Sequence, residues 1–536
     1  MLFGLLLLLP MPTEAAPSIG TLESIDDTGT MTGWAVDPDN PLISLDIHVY
    51  MDGGSFIGYT KADYPRLDVN LAGFPGSHGF HYPLPPVARD GAAHTFYVYV
   101  IDTSGQGADN SLLSGSPKTV ILASTRIYLD NGTIRVGLEP RCGGTIAEIR
   151  VSNGLNLVNN FDCTGRQIQV AFYDGAGQYD DCSGCTFWDW NPVQGGDRFG
   201  MGSLLLNLST SSSIIYIKTQ PYQWNPSDKG GGAGRPVLSE VIVEQWVSLV
   251  PDQPYAIKVH SKATYLGSNS YTVSFQEFPA VAVNVGFDNF IRYSGTSPWT
   301  AEPVTESSID TGRTVYTPEQ WAGFVDNDGN GLTVFVPGQY SYAIPARGFG
   351  NISSGPGAEF AQSYNYFHPL TVFSFTPGSV LEGDIYLIAG NYQTARRLIY
   401  QLHDTLPAVD PFPPLGHLDS PLVNATLSGT VPVYGWAFDN VAVDRIEVYV
   451  DGLLDGNATY GTSRPDVAAI YPNISADVGY AYSLNTAKYV DGAHAIVVKA
   501  YDTNGNNSIL GQAVVTFGKK VLFPSVAIFS NAMSPP

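Results

Sequence analysis

The chain has 536 residues and a formal net charge of −23. This length exceeds what one hydrophobic core accommodates and predicts about three domains. The charge argues against a nucleic-acid partner, because binding to phosphates requires a basic face, and it is typical of solubility outside the cell. Charged residues make up only 14% of the chain, and Val-, Ile-, Tyr- and Thr-rich runs alternate with Gly, Pro, Asn and Asp, which predicts a nearly all-β fold.

The first residues, MLFGLLLLLPMPTEAAPS, combine an apolar run with small residues near Ala15 and Ala16. This pattern is typical of a secretory signal peptide, which we place at residues 1–17. The run Leu2–Leu9 is far shorter than the ~20 residues needed to cross a membrane, and no later segment is apolar for long enough. We therefore expect a secreted, extracellular or cell-surface protein without a membrane span.

Residues 18–122 are repeated at residues 416–518 in the same order and with the same spacing, so that GWAVDPDNP at 33–41 corresponds to GWAFDNVAV at 435–443. Each copy has about seven short strand patterns separated by turn residues, which predicts an immunoglobulin-like sandwich. Neither copy contains cysteine, so both sandwiches are expected to be held together by packing alone.

Both copies resemble the Ig-like modules of large secreted bacterial proteins in the motifs GWA-D, YVDG, RPDV and DGAH. The resemblance implies spacers, adhesive arms or docking modules and specifies no ligand. Trp34 and Trp436 occupy one position of the repeat and are expected in the cores. The turns Arg66–Asp68 and Arg464–Asp466 predict local ion pairs that fix a loop, with a binding feature as the alternative.

Residues 123–403 between the copies show one continuous β pattern of about fifteen strands without a repeat, which predicts one large two-sheet sandwich. The stretch 392–406 has the best helical period. The opening NGTIRVGLEPRCGGTIAEIRVSNGLNLVNN, at 131–160, resembles the first hairpins of the galactose-mutarotase-like super-sandwich. That resemblance implies a fold used by sugar epimerases, polysaccharide lyases and accessory domains of glycosidases. It does not extend to the epimerase active-site motif.

Two further segments complete the chain. Residues 404–415, DTLPAVDPFPPL, form a Pro-rich linker that is expected to be stiff and extended. After the second copy, residues 519–536 contain the apolar run VLFPSVAIF, which predicts an extra strand beyond the completed sandwich.

The four cysteines, Cys142, Cys163, Cys182 and Cys185, all lie in the central region. The CSGC pair could suggest zinc, but the second half of a zinc motif is missing, and an exported protein favours two disulfides. Of the three possible pairings we favour Cys142–Cys163 with Cys182–Cys185, which would brace the loop 174–200.

Loop 174–200 is rich in aromatic and polar residues, and it contributes Trp188, Trp190, Asn191 and Asp197 as candidate substrate-binding residues. Sugars pack against aromatic faces and accept hydrogen bonds from amides and donate them to carboxylates, so a glycan surface is one interpretation. A self-packed loop with buried tryptophans is the other.

Three more residues are candidates for substrate binding. Strand alternation places Gln167 and Gln169 on one face, which suits hydroxyl recognition and equally suits a solvated outer sheet. Trp299 could line a groove or fill the core.

The candidate catalytic residues are Glu277, His260 and Arg166. Alternation groups Glu277 with apolar neighbours, which would raise its pKa toward that of a general acid or base. His260, on one face of its strand with Lys258 and Lys262, is a possible counterpart of Glu277. Arg166 lies among apolar residues and requires a carboxylate partner if it is buried. The alternative is a structural Arg–Glu pair with a surface histidine.

No cofactor is expected. The segment DNDGNG at 326–331 has oxygen ligands at alternate positions, as a calcium loop does, but Pro337 stands where the final carboxylate is expected, so a hairpin turn is favoured. Seven Asn-x-Ser/Thr sites would carry glycans only in a host that glycosylates.

Two functions remain open from the sequence. The first is a secreted carbohydrate-binding or carbohydrate-active protein that recognises a polysaccharide or glycan, and that would be lyase-, glycosidase- or epimerase-like if it is an enzyme. The second is a non-enzymatic surface or fibre subunit, a homo-oligomer that assembles by β-strand addition through the C-terminal tail.

Overall fold

The computed structural model confirms the nearly all-β fold. It describes residues 16–101, 110–163, 166–174, 177–179, 186–188, 190–232, 235–308, 313–344, 363–406, 413–439, 441–470 and 474–518. The chain divides into two compact units, residues 1–371 with 375–407, and residues 408–536 with 372–374. Among the described residues, no helix is long and apolar enough to cross a membrane.

The N-terminal part of the first unit is a two-sheet sandwich, which we call the first sandwich. Its strands are β1 (Ile19–Ile25), β2 (Thr30–Val36), β3 (Asp46–Met51), β4 (Ser55–Lys61), β5 (Tyr64–Pro65), β6 (Ser77–Pro83), β7 (Ala93–Ile101), β8 (Ser111–Leu112) and β9 (Lys118–Ile121). One sheet has the order β1-β2-β6-β5, and the other has the order β4-β3-β7-β8 with β9 also paired to β7. A short helix, α1 (Leu67–Leu71), follows β5.

The second unit is a sandwich of the same kind, the second sandwich. Its strands are β32 (Leu415–Ser420), β33 (Thr426–Leu427), β34 (Thr430–Phe438), β35 (Val443–Val450), β36 (Leu453–Asn457), β37 (Thr459–Thr462), β38 (Gly479–Asn485), β39 (Gly492–Asp502) and β40 (Asn507–Phe517), with helix α3 (Pro465–Ile470). Its sheets have the orders β32-β34-β38-β37 and β33-β40-β39-β35-β36. The first of these orders repeats, strand for strand, the β1-β2-β6-β5 sheet of the first sandwich.

The prediction that Trp34 and Trp436 fill the cores is wrong, because both are half-buried. In each sandwich the glycine before the tryptophan faces inward instead. A side chain at Gly33 would meet the Phe80 ring at 2.6 Å. One at Gly435 would lie 2.7 Å from the hydroxyl of Tyr480. Strand alternation then turns each tryptophan to the outer face.

The Arg-x-Asp turns form the expected ion pairs. Arg66 contacts Asp68 at 2.6 Å and Glu23 at 2.8 Å. Arg464 makes the corresponding contact with Asp466 at 2.7 Å, and a second with an aspartate of β32. Each arginine therefore joins the start of a short helix to the first strand of its sandwich.

The remainder of the first unit, the central body, contains two large sheets. The eleven-stranded sheet has the order β10-β11-β12-β13-β22-β29-β28-β25 with β16, β19 and β30 attached. Its strands are β10 (Ile127–Asp130), β11 (Ile134–Glu139), β12 (Thr145–Val151), β13 (Ile168–Ala171), β16 (Pro192–Val193), β19 (Tyr222–Gln223), β22 (Tyr271–Asn284), β25 (Arg313–Tyr316), β28 (Ser341–Ile344), β29 (Tyr364–Pro369) and β30 (Thr371–Phe375). A small hairpin pairs β14 (Gly177–Tyr179) with β15 (Thr186–Trp188).

The nine-stranded sheet has the order β17-β18-β20-β21-β31-β27-β26-β23-β24. Its strands are β17 (Leu204–Thr210), β18 (Ile214–Gln220), β20 (Val241–Leu249), β21 (Ala256–Tyr265), β23 (Asn289–Arg292), β24 (Thr305–Ser308), β26 (Trp321–Val325), β27 (Asn330–Phe335) and β31 (Val380–Asn391). Helix α2 (Tyr392–Thr405) follows β31, close to the predicted 392–406, and the side chain of Asn391 caps it by accepting a hydrogen bond from the Gln393 amide at 3.1 Å.

The two large sheets pack face to face, as the predicted two-sheet sandwich requires. Phe367 of β29 contacts Phe290 and Phe324 of the opposite sheet, with ring centroids 5.8 and 5.5 Å apart. Because side chains alternate along a strand, Tyr364, Tyr366 and His368 are on the other, outer face of the eleven-stranded sheet.

The first sandwich is packed onto the central body within one compact unit. Phe161, from the loop that follows β12, is only 9% exposed and belongs to the hydrophobic core of the first sandwich. Arg235 adds an ion pair to Asp63 at 2.7 Å. Of the predicted linker and tail, residues 407–412 and 519–536 lie outside the described residues.

Candidate functional site

A cluster of acid–base groups lies on the outer face of the eleven-stranded sheet, where β13, β22 and β29 run side by side. We call Glu277, Tyr173, Tyr366 and His368 the Glu277 cluster. The register between β13 and β22 shifts by one residue between Gln169 and Ala171, and Ala171 pairs with Glu277. Such a shift moves the following side chains to the opposite face, so Glu277 points to the side that β29 lines with its even-numbered residues.

The Glu277 carboxylate is held by two phenols and faces an imidazole. The hydroxyls of Tyr173 and Tyr366 both donate hydrogen bonds to it. Nε2 of His368 lies 4.0 Å from its Oε1. The Glu277 side chain is 13% exposed and that of His368 8% exposed, so the group is nearly enclosed but still reaches solvent.

Main-chain contacts fix the position of Tyr173. The Gln276 side chain accepts a hydrogen bond from its amide at 2.9 Å and donates one to its carbonyl at 3.1 Å. The side chain of Asn191 is hydrogen-bonded to the Tyr173 hydroxyl and also donates to the Phe172 carbonyl at 2.8 Å. Tyr173 is therefore held from both sides in the orientation that meets Glu277.

The ring of His368 is oriented by its own backbone neighbour. Nδ1 lies 2.9 Å from the carbonyl oxygen of Pro369, so Nδ1 carries the proton in that hydrogen bond. In the neutral ring Nε2 is then a proton acceptor, and it is the atom directed toward Glu277.

Both tyrosines of the cluster remain protonated at physiological pH. Burial, and then the neighbouring Glu277 carboxylate, raise the pKa of Tyr173 and that of Tyr366 well above 10. Their hydroxyls therefore act as donors to Glu277, while Glu277 and His368 are the groups that can accept a proton.

Of the three candidate catalytic residues, the structure brings Glu277 and Arg166 to the same neighbourhood and leaves His260 elsewhere. Arg166 pairs with the Asp162 carboxylate, and its guanidinium lies over the rings of Phe161 at 5.0 Å and Tyr364 at 4.9 Å. It borders the Glu277 cluster through Tyr364.

His260 lies on β21 of the nine-stranded sheet. Its ring nitrogens contact Asp384 at 2.8 Å and Glu382 at 3.0 Å, in a row of cross-strand ion pairs on a partly exposed surface. The expectation that His260 is the counterpart of Glu277 is therefore wrong, and the surface-histidine alternative describes it.

Gln167 and Gln169 are fully buried and hydrogen-bonded within the protein. Both interpretations made from the sequence, a face that binds sugar hydroxyls and a solvated outer sheet, are therefore wrong. Gln167 donates to Asn160 at 2.6 Å, and Gln169 accepts from the Gly195 amide at 2.6 Å. Their partners come from loops, and the hydrogen bonds of the two side-chain amides attach those loops to β13.

Trp190 is a core residue, not a binding residue. It stacks on Tyr271 with centroids 4.2 Å apart and donates from its indole to Glu240 at 3.2 Å. Asn191 is also buried, and its side chain is hydrogen-bonded to the Tyr173 hydroxyl. The side chain of Trp188, together with Cys182 and Cys185, lies outside the described residues.

Asp197 is completely buried and organises a turn. Its Oδ1 accepts hydrogen bonds from the amides of Phe199 and Met201, both at 3.0 Å. Its Oδ2 is buried without a hydrogen-bond partner among the described residues. Burial raises the pKa of Asp197 to about 7, despite the two amide donors.

Trp299 packs against helix α2, away from the Glu277 cluster. It stacks on His403 with centroids 3.8 Å apart, and its amide donates to Glu319 at 3.0 Å. Glu319 is fully buried and forms a two-point ion pair with Arg396, at 2.7 and 2.8 Å. This network attaches α2 to the nine-stranded sheet.

The Cys142–Cys163 disulfide is present, as predicted. Residues 326–331 form the hairpin turn between β26 and β27, in which Asp326 accepts from the amides of Asp328 and Asn330 at 2.9 Å. Groups of His, Cys, Asp and Glu suited to a metal ion are not found among the described residues.

Sequence reasoning missed Tyr173, Tyr366 and His368. The strand YNYFHP at 364–369 carried a signal, since aromatic and titratable residues occupy every second position. Its pairing with β22, which brings these residues to Glu277, joins distant parts of the chain.

Comparison with known proteins gives one family match. Residues 414–498 match the family described as the bacterial Ig domain. No curated protein matches the chain.

Solved structures with partial similarity include an endo-β-1,4-mannanase from Thermotoga petrophila, at 15% identity, 24% of each chain and a TM-score of 0.16. A polysaccharide lyase has 9% identity over 73% of this chain and 47% of its own, with a TM-score of 0.27. A putative aldose 1-epimerase from Klebsiella pneumoniae has 11% identity over 60% of this chain and 89% of its own, with a TM-score of 0.30. The chain thus covers less than half the length of the mannanase and of the lyase, and scores this low do not establish a shared fold. The firm similarity is that of the second sandwich to bacterial Ig domains.

Proposed function

We propose that the protein is an extracellular carbohydrate-active protein whose central body binds a glycan at the Glu277 cluster and exchanges a proton with it. The observation that carries this proposal is the partly exposed Glu277 carboxylate, fixed by two phenol donors, with the acceptor nitrogen of His368 at 4.0 Å. Aromatic rings beside polar groups are a setting in which sugars bind, because C–H faces pack on rings and hydroxyls bond to carboxylates.

The chemistry follows from the two proton acceptors. His368 takes a proton from the sugar at Nε2, and the nearby Glu277 carboxylate stabilises the imidazolium that forms. The neighbours of Glu277 in the described chain are phenols and an imidazole, which favours proton transfer of the epimerase or lyase kind over hydrolysis by two carboxylates.

Two further features support the extracellular setting. The Cys142–Cys163 disulfide is typical of an oxidising compartment. The second sandwich is similar to bacterial Ig domains, and the shared strand order supports an Ig-like assignment of the first sandwich too.

The test compares the whole protein with Glu277→Gln and His368→Gln on plant, algal and bacterial polysaccharides. The readouts are glycan binding, the ultraviolet absorbance of unsaturated uronides, reducing-end release, and anomer exchange followed by NMR. We expect both variants to lose roughly 100-fold or more in rate, the contribution of a positioned acid–base group, while binding changes less.

The matched control is Glu382→Gln, because Glu382 also contacts a histidine, His260, at 3.0 Å but on an exposed surface. It should retain full activity. A panel without any binding or turnover, or a Glu277→Gln variant as active as the unaltered protein, would show that the proposal is wrong.

A further inference from the structure

A second pocket lies where the first sandwich meets the central body, and we call it the junction pocket. It encloses about 410 Å³, within the roughly 300–1,000 Å³ typical of small-molecule sites. One wall comes from β2, β5 and β6 of the first sandwich. The other comes from the short 3₁₀ turn Pro140–Cys142, the Cys142–Cys163 disulfide and residues 200–202.

Two guanidinium groups line this pocket. Arg89 is 5% exposed and donates to the backbone carbonyls of Thr28 and Leu84. Arg141 is half-buried and lines the pocket, and the contacts of the described chain give its guanidinium no hydrogen bond or ion pair.

Two cations, Arg89 and Arg141, and one anion, Glu139, line the pocket, so its lining carries a formal charge of +1. Burial, and after it the neighbouring Arg141 guanidinium, lower the pKa of Arg89 to about 10, so Arg89 is still charged at neutral pH. The nearest counter-charges are Glu139 and Asp26. The Glu139 carboxylate accepts hydrogen bonds from the Thr125 hydroxyl and the Arg141 amide. The Asp26 carboxylate accepts them from the Thr28 hydroxyl and the Thr30 amide.

The rest of the pocket lining suits a ligand larger than a simple anion. Tyr64 and His81 present adjacent rings with centroids 4.5 Å apart. Pro83, Leu84 and Pro86 form an apolar side, and Thr30 adds a hydroxyl. A ligand ring with a C–H face, several hydroxyls and one negative group would contact all of these surfaces. Its C–H face would pack on the aromatic and apolar side chains, and its polar groups would bond to the hydroxyl and the guanidinium groups.

We propose that the junction pocket binds the carboxylate-bearing ring of a uronate sugar, with the Arg141 guanidinium as the principal ligand of the carboxylate. Arginine presents parallel N–H donors that match the two oxygens of a carboxylate. The apolar and aromatic walls receive the sugar ring. This site is distinct from the Glu277 cluster, and the first sandwich then contributes to ligand binding in addition to spacing.

The experiment is calorimetric titration of the whole protein with galacturonate and glucuronate, with galactose and glucose as uncharged counterparts and inorganic phosphate as an anion without a ring. We expect the uronates to bind and the uncharged sugars and phosphate to bind at least tenfold more weakly. Arg141→Gln should lower uronate affinity roughly 10- to 100-fold, as expected for hydrogen bonds to a charged group. Arg141→Lys should keep the charge and recover only part of the affinity.

The control is Arg397→Gln, which removes the same charge from an exposed position on α2 and should leave binding unchanged. The loss of affinity caused by Arg141→Gln should also appear in a protein that carries Glu277→Gln, so failure at one site is distinguishable from failure at the other. The thermal midpoint of each variant verifies folding, and Arg141→Lys serves if Arg141→Gln does not fold. The assignment is overturned if no uronate binds, if both Arg141 variants bind as well as the unaltered protein, or if phosphate binds equally and is lost with Arg141.

Discussion

Replacing Asp197 with asparagine should change how the stability of the first unit depends on pH. Burial raises the pKa of Asp197 from 3.8 to about 7 in the folded chain. The folded state therefore holds this proton more tightly than the unfolded chain does. The resulting stabilisation is complete below about pH 4 and is lost as the pH rises to about 7.

The size of the effect follows from the difference between the two pKa values. At about 1.4 kcal/mol for each pH unit, the shift is worth at most about 4 kcal/mol. Asparagine has no such proton, while its Oδ1 can still accept from the amides of Phe199 and Met201. Its Nδ2 takes the place of the unpartnered Oδ2 and adds about 1–3 kcal/mol of destabilisation that does not depend on pH.

The measurement is urea unfolding of both proteins at several pH values between 4 and 8, followed by tryptophan fluorescence. Trp436 is the one tryptophan of the eight outside the first unit, so the signal reports mainly on that unit. The stability of the variant relative to the unaltered protein should increase by up to about 4 kcal/mol from low to high pH. Asp404→Asn, at a side chain that is 78% exposed, is the control and should show no such trend. A constant difference across the pH range would refute the reasoning.

Three further substitutions test the packing. Phe161→Ala should destabilise the first unit by roughly 3–5 kcal/mol in thermal or urea unfolding, because it removes a ring from the core of the first sandwich. Gly33→Ala should destabilise by about 1–3 kcal/mol or more, since the new methyl group would press on the Phe80 ring. Glu319→Gln should destabilise by about 3–5 kcal/mol, because Arg396 would keep a buried charge without its carboxylate.

The glycine and glutamate substitutions each have a matched comparison. Gly54→Ala meets no atom within 4 Å and should change stability by about 0.5 kcal/mol or less. Glu382→Gln breaks a partly exposed ion pair and should have an effect of about 1 kcal/mol or less. If the buried and exposed positions of a pair respond equally, the packing described for the buried one is wrong.

Local patterns predicted the strands, a helix at 392–406 that the structure has at 392–405, and the Cys142–Cys163 disulfide, because these depend on residues near one another in the chain. Glu277 was chosen as a candidate for the same reason, because its apolar neighbours belong to its own strand. Its partner was not, since His260 and His368 both lie on strands and only the pairing of β22 with β29 distinguishes them.

Burial was the harder property to predict. Polar residues at alternate positions, such as Gln167 and Gln169, fit a solvated sheet surface as well as a buried one. The hydrogen-bond partners that show them to be buried, Asn160 and Gly195, come from loops. Trp34 shows the reverse error. A large aromatic residue suggests a core, yet the ring of Phe80 already fills the space beside Gly33.

The guanidinium of Arg166 contacts two rings that belong to different parts of the first unit. One is Phe161, buried in the first sandwich, and the other is Tyr364, next to the acid–base groups. Excising the N-terminal module would expose the Phe161 ring to water and would weaken its contact with the Arg166 guanidinium. A truncated protein should therefore be prone to aggregation, and the position of the Glu277 carboxylate should be less well fixed. This holds even though, among the contacts of the described chain, no residue of the excised module touches Glu277 directly.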